Sequence, residues 1–276
     1  MLVGGCKSPP GPTVAPPPPS YFALAETHNA RIAKLQTLNA NGVIEIRWRD
    51  DRGSHFEQGD MELWLKLPRH VALRVEKLGE TLLWLGSDES RYWLFDMIGD
   101  EKVLRLGRHE DAGAIDQNNA LGVRPLVLLD LLGLTPMPVA ETPPPVQFNA
   151  QHDAWMIQVQ GSGGPMRIYF DRQSLLPKRV EAVSSTDDQA TLFSSLRRYE
   201  SVWQPNMPPL AFPKMPKLVD IASTSDAPAS GQFSGGSVKI AIDQMTGQVP
   251  AEQLQHVFDL ERLRQALRPD RIEEAQ

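Results

Sequence analysis

The sequence predicts an α+β fold dominated by antiparallel strands, and three observations predict it. Apolar residues recur at helical spacing over residues 21–41 and switch to strict alternation after Gly42. The alternating runs are short and separated by turn residues, as in an antiparallel meander. Two of the runs, around Trp84 and Trp93, are apolar on both faces, so each face needs a cover.

Tyr21, Leu24, Ala25, His28, Ile32, Leu35 and Leu38 form the apolar stripe of the first helix. His28 on that stripe reads as a buried, hydrogen-bonded core residue. Asn41-Gly42 marks the helix end, with Gly42 suited to a left-handed C′ position. Ile44, Ile46 and Trp48 then alternate with Glu45, Arg47 and Arg49, and residues 50–53 turn the chain. Met61, Leu63, Leu65 and Leu67 follow on one face, with Glu62, Trp64 and Lys66 on the wet face, until Pro68 closes the strand. Val71, Leu73 and Val75 make the next strand, and Gly79-Glu80 the next turn. For residues 82–85 and 92–95, the first helix is expected to cover one face. The other face meets a second layer or lines a greasy cavity. Val103, Leu104 and Leu106 add a short strand before a polar loop over residues 107–119.

Residues 124–134 read as a short apolar helix stopped by Gly133 and Pro136, and the prolines through 145 as a loop or crossover. Strands resume at 155–159, 166–170, 176–183 and 191–202. After a second proline-rich stretch (205–216) come strands at 218–222 and 238–242. Leu254, Val257, Phe258, Leu260, Leu263 and Leu267 mark a C-terminal helix. Gly161-Ser162-Gly163-Gly164 lacks the Lys-Ser/Thr of a phosphate loop and precedes a strand, so it is read as a hairpin turn.

Composition narrows the function. The 276 residues are 41% hydrophobic and 22% charged, enough for a packed core in one large domain. With 28 Lys+Arg against 34 Asp+Glu and no basic stripe, nucleic acid is not an expected partner. The longest apolar run, 126–134, is interrupted by Asp130 and is far shorter than the ~18 residues of a membrane helix. A lone cysteine permits no disulfide framework, and the six histidines show no metal-ligand spacing, so no metal or cofactor is expected. There is no G-x-S-x-G elbow, and Asp50-Asp51 and Asp187-Asp188 lie in turn sequences. No catalytic constellation emerges, and the chain is not expected to be an enzyme.

Val3-Gly4-Gly5-Cys6 resembles the lipobox of bacterial lipoproteins, which implies an acylated Cys6 and a start upstream. The alternative is an incidental cysteine. Residues 7–20, half of them proline, read as a polyproline II spacer reaching roughly 40 Å. This gives a tether over residues 1–20 and one domain over 21–270.

The order of elements resembles the LolA/LolB group of periplasmic lipoprotein carriers. It has a lipobox-like cysteine, a first helix, a long meander and a short mid-chain helix. Ile168-Tyr169-Phe170-Asp171 stands before a turn, followed by Leu176-Pro177-Lys178-Arg179. A Val249-Pro250 step then enters the last helix. The resemblance implies a half-barrel, a curved antiparallel sheet wrapped around helices with an apolar cavity for acyl chains. The aromatics of the two-sided strands either simply fill a core or line that cavity. On the second reading its walls are Leu83, Trp84, Leu85, Trp93, Leu94 and Phe95, with Leu128, Leu129 and Leu132 opposite. The expected role is a membrane-tethered monomer in the cell envelope. It would face the periplasm, anchored by Cys6 at the outer membrane, and bind acyl lipids or lipoprotein acyl chains, with a periplasmic carrier protein as a further partner. Lys7 after Cys6 favours the outer membrane by the family's sorting rule. The alternative is a binding or sensor module of the same fold that engages a protein partner through an exposed apolar patch centred on Trp64.

Overall fold

The computed structural model describes residues 17–50, 53–99, 101–111, 123–139, 141–224 and 234–274. Cys6, the tether up to residue 16 and most of the loop after 111 lie outside the described residues. Helix α1 (Tyr21–Ala33) leads into β1 (Thr37–Asp50), β2 (Gly53–Lys66), β3 (His70–Lys77), β4 (Glu80–Ser87), β5 (Arg91–Asp96) and β6 (Val103–Arg108). Helix α2 (Pro125–Leu131) precedes β7 (Gln147–Asn149), β8 (Ala154–Gly161), β9 (Gly164–Asp171), β10 (Pro177–Val183), β11 (Ala190–Ser201), β12 (Lys214–Ser223) and β13 (Ser234–Gly247). Helices α3 (Ala251–Val257) and α4 (Leu260–Leu267) and the strand β14 (Arg271–Glu274) complete the chain as described. The strands form one unclosed, curved sheet in the order β14-β6-β5-β4-β3-β2-β1-β13-β12-β11-β10-β9-β8-β7. Every pairing is antiparallel except β14 with β6. This is the α+β half-barrel expected.

The Ser20 hydroxyl caps α1 by accepting the Ala23 amide at 3.1 Å. The helix ends at Ala33, well before Asn41-Gly42. Leu38, Ala40, Ile44, Ile46 and Trp48 also recur at every second residue, and long-range pairing decides in favour of that period. Residues 37–50 pair along their whole length with β2. Gly42 is not a helix cap. It sits where the β1–β13 register shifts, and a Cβ there would lie 2.1 Å from the Ala241 carbonyl oxygen.

Helix α2 packs against β3 and β4 from one arm of the sheet and against β10 from the other. The sheet therefore curls around it, and its concave face carries the main core with α1 and α2. The convex face of β2–β6 carries a second core, in which Trp64, Ala72, Trp84, Trp93, Phe95 and Leu104 are closed over by α3 and α4. This is the second layer the two-sided strands require. The C-terminal segment is two helices, because Asp259 caps a new one by accepting the Arg262 amide at 3.0 Å.

Trp64 is not on a wet face. It is 4% exposed, stacked on Trp84 with ring centroids 6.1 Å apart, and the Arg74 guanidinium lies over both rings. The alternation of β2 had assigned it to solvent, but α3 and α4, almost two hundred positions later, cover that face. Residues 161–164 make a hairpin turn, with Gly161 paired to Gly164.

Candidate functional site

The concave interior is built around α2. Pro125 fits the first turn of a helix, where its missing N–H costs nothing, and Gly133 at φ +65° ends it in the left-handed region. Val127, Leu128, Leu129, Leu131 and Leu132 are all buried, so the helix is apolar nearly all round. Asp130 is the exception. Only 6% exposed, it accepts the Ser162 amide at 2.7 Å and the Ser162 hydroxyl at 3.3 Å, and the Thr135 hydroxyl also donates to it. These bonds tie α2 to the β8–β9 hairpin. Burial pushes the Asp130 carboxyl up to about 6, although the same donors pull the other way.

Helix α1 is fastened to the segment after α2 through backbone carbonyls. The Tyr21 hydroxyl donates to Pro138 O at 2.6 Å, the Asn29 amide to Met137 O at 2.9 Å, and an Arg31 Nη to Gly133 O. The Met137 amide returns a bond to Asn29 at 2.8 Å. His28 Nε2 lies 3.0 Å from Thr135 O, and its ring stands edge-on to Phe170. Burial, reinforced by the Arg31 charge, pulls the His28 pKa down to about 3, so the ring is neutral at pH 7. The carbonyl needs a donor at Nε2, which leaves Nδ1 as an acceptor. Helices α1 and α2 with residues 133–138 thus form one plug inside the curved sheet. A void of about 10 Å³ beside Asp130, lined partly by Val127, Met166 and Val180, holds no more than about one water.

Of the residues expected to line an acyl cavity, Leu83, Leu85 and Leu94 lie on the concave face in the same cluster as Leu128, Leu129 and Leu132. Trp84, Trp93 and Phe95 belong to the convex core under α3 and α4. The sheet separates the two sets because neighbouring residues of a strand point to opposite faces. All nine are buried in this structure.

A larger cavity of about 430 Å³ opens elsewhere, between α1, residues 174–176 and residues 212–214. His28, Arg31, Lys34, Leu176, Phe212 and Lys214 are among its lining residues. Sequence reasoning missed it, because Lys214 meets α1 only through the tertiary fold. One signal was readable: Arg31, three residues after His28, puts a charge beside the apolar stripe.

Among the described residues, no group of three or more His, Cys, Asp or Glu could hold a metal ion. Nor is any described helix long and apolar enough to cross a membrane.

An open antiparallel sheet curled around a helical plug defines a half-barrel of the LolA type, and solved structures share it. A LolA superfamily protein from Nitrosomonas europaea matches with a TM-score of 0.53 at 9% identity, over 86% of this chain and 98% of that one. A DUF1329 family protein from Desulfovibrio piger matches at 0.56 and 10%, over 88% and 97%. An outer membrane lipoprotein-sorting protein domain from Vibrio parahaemolyticus matches at 0.53 and 9%, over 84% and 95%. At these identities the likeness is one of fold. No protein-family model and no curated protein matches the sequence.

Proposed function

We propose that this chain is a non-catalytic carrier of the cell envelope, holding acyl chains, including those of lipoproteins, against the concave face of the sheet. The observation that carries this reading is the plug. Leu128, Leu129 and Leu132 fill the concavity against a wall containing Leu83, Leu85 and Leu94, while α1 and α2 are fastened largely to each other's neighbourhood through carbonyls. Release of the bonds that tie this plug to the sheet, from Ser162 to Asp130, from Ser194 to Leu131 O and from Arg31 to Lys214 O, would leave an apolar trough in which each buried methylene contributes about 0.8 kcal/mol. The lipoprotein-sorting protein of the same fold supports the class of cargo. In this reading residues 21–270 are the carrier domain, residues 1–20 the tether, and Cys6 the lipid-bearing residue that holds a monomer at the outer membrane, where it exchanges cargo with a periplasmic carrier. The alternative role, protein docking around Trp64, loses its centre, since Trp64 is buried.

Native and denaturing mass spectra of the full chain carrying Cys6→Ser, purified from the soluble fraction without detergent, test the carrier role. Added mass that leaves on denaturation, with acyl lipids in the extract, is the expected result. A clean unliganded mass, with no thermal shift on adding fatty acid or phospholipid, sinks it. The anchor has its own test: Cys6→Ser, expressed from the native gene, should move the protein from the membrane pellet to the soluble fraction.

A further inference from the structure

The cavity of about 430 Å³ beside α1 is lined by a buried charge, Arg31, that has no counter-ion among the described residues. Arg31 is 8% exposed, and its Nη atoms donate to two neutral carbonyls, Lys214 O at 3.0 Å and Gly133 O. Its Nε has no partner. Among the described residues no carboxylate pairs with Arg31, nor with Lys34 or Lys214, the two exposed cations at the rim. A buried guanidinium without a counter-ion is costly, and an oxyanion in the adjoining cavity would offset its charge. The rim lysines add a positive field at the mouth, which concentrates anions there. Thr27, His28 and Ser174 add polar groups to the lining, Leu175, Leu176, Phe212 and Pro213 an apolar wall, and the volume falls within the range of small-molecule sites, ~300–1,000 Å³.

We propose that this cavity binds the oxyanion head group, carboxylate or phosphate, of a single-chain amphiphile. Arg31 supplies the buried charge, Lys34 and Lys214 the rim, and Leu176 and Phe212 the surface for the first methylenes. This deepens the carrier reading and rests on it for the acyl chain, whereas the head-group site depends on charge.

Calorimetric titration of the full chain with dodecyl phosphate, dodecyl maltoside and inorganic phosphate, each as monomers, tests it. Dodecyl phosphate should bind at least about tenfold more tightly than either of the others. The double variant Lys34→Glu/Lys214→Glu changes only exposed side chains, so it keeps the fold. It should weaken dodecyl phosphate at least about tenfold and leave dodecyl maltoside unchanged. Dodecyl maltoside binding as tightly as dodecyl phosphate, or a double variant that binds dodecyl phosphate normally, overturns the head-group site and leaves the carrier reading standing. Inorganic phosphate binding as tightly as dodecyl phosphate means a site for free anions and overturns the amphiphile. If neither dodecyl ligand binds, both readings fall.

Discussion

Burial holds the Asp130 carboxyl at about 6 against an ordinary 3.8, so between those values the folded chain binds a proton that the unfolded chain has lost. The stabilisation from this group is complete below pH 3.8 and disappears as pH rises through 6. At about 1.4 kcal/mol per pH unit the loss is on the order of 3 kcal/mol. Denaturant titrations at pH 4 and 6.5 should therefore show Asp130→Asn without that part of the decline, and parallel pH profiles for the two proteins would refute the assignment. His28 runs the other way. Its pKa of about 3 lies below the ordinary 6.5, so the unfolded chain takes up the proton first and stability is lost as pH falls below 6.5. Between pH 6.5 and 5 the wild type should lose roughly 2 kcal/mol that His28→Gln keeps, since glutamine can still donate to Thr135 without titrating. Gly86 gives a test that does not depend on pH. A Cβ there would lie 2.3 Å from the indole nitrogen of Trp93, a ring fully buried beneath α3 and α4. Gly86→Ala should cost about 1–3 kcal/mol by overpacking, read from the urea midpoint.

The pair α3–α4 turns the convex face of β2–β6 into an interior. Each helix has fewer than ten residues, too short to persist alone in water, so tertiary packing must hold it. Leu254, Val257, Leu260 and Leu263 supply that packing against Trp64, Trp84, Trp93 and Phe95. Leu263→Asp should detach α4 and wet those indoles. The expected readout is a red-shifted tryptophan emission with the far-ultraviolet β signal retained, and an unshifted emission maximum would show that α4 is not the cover. The residues of the two-sided strands were legible from the sequence as needing two covers. Which cover went to which face was not legible, because a strand apolar on both sides carries no directional signal.

An open sheet of this length has two edges that invite pairing with other chains. One is finished by β14, which pairs in parallel with β6 and is held by Arg105, bonded at 3.0 Å to both Asp96 and Glu273. The other ends in the three residues of β7, preceded by Pro143, Pro144 and Pro145. Removing residues 271–276 should leave the β6 edge unpaired and produce concentration-dependent self-association by light scattering. A strictly monomeric truncation would show that β14 is not a guard. Neither edge strand was read from the sequence, since three or four residues are too few to display a period.

Whereas the half-barrel was implied only by the resemblance to the LolA/LolB group, the sequence by itself determined the class and order of most elements: the α+β class, the meander, the mid-chain helix and the hairpin at 161–164. It did so because side-chain periodicity and turn chemistry are local. It mistook residues 37–41 for helix, because Leu38 fits both periods and only pairing with β2 and β13 settles the choice. Only the tertiary structure decided that Trp84, Trp93 and Phe95 face away from Leu83, Leu85 and Leu94. Only it brought Lys214 to Arg31 and buried a guanidinium there with no carboxylate partner among the described residues. Those outcomes depend on which distant segment lands on which face, and no residue's neighbours in sequence carry that information.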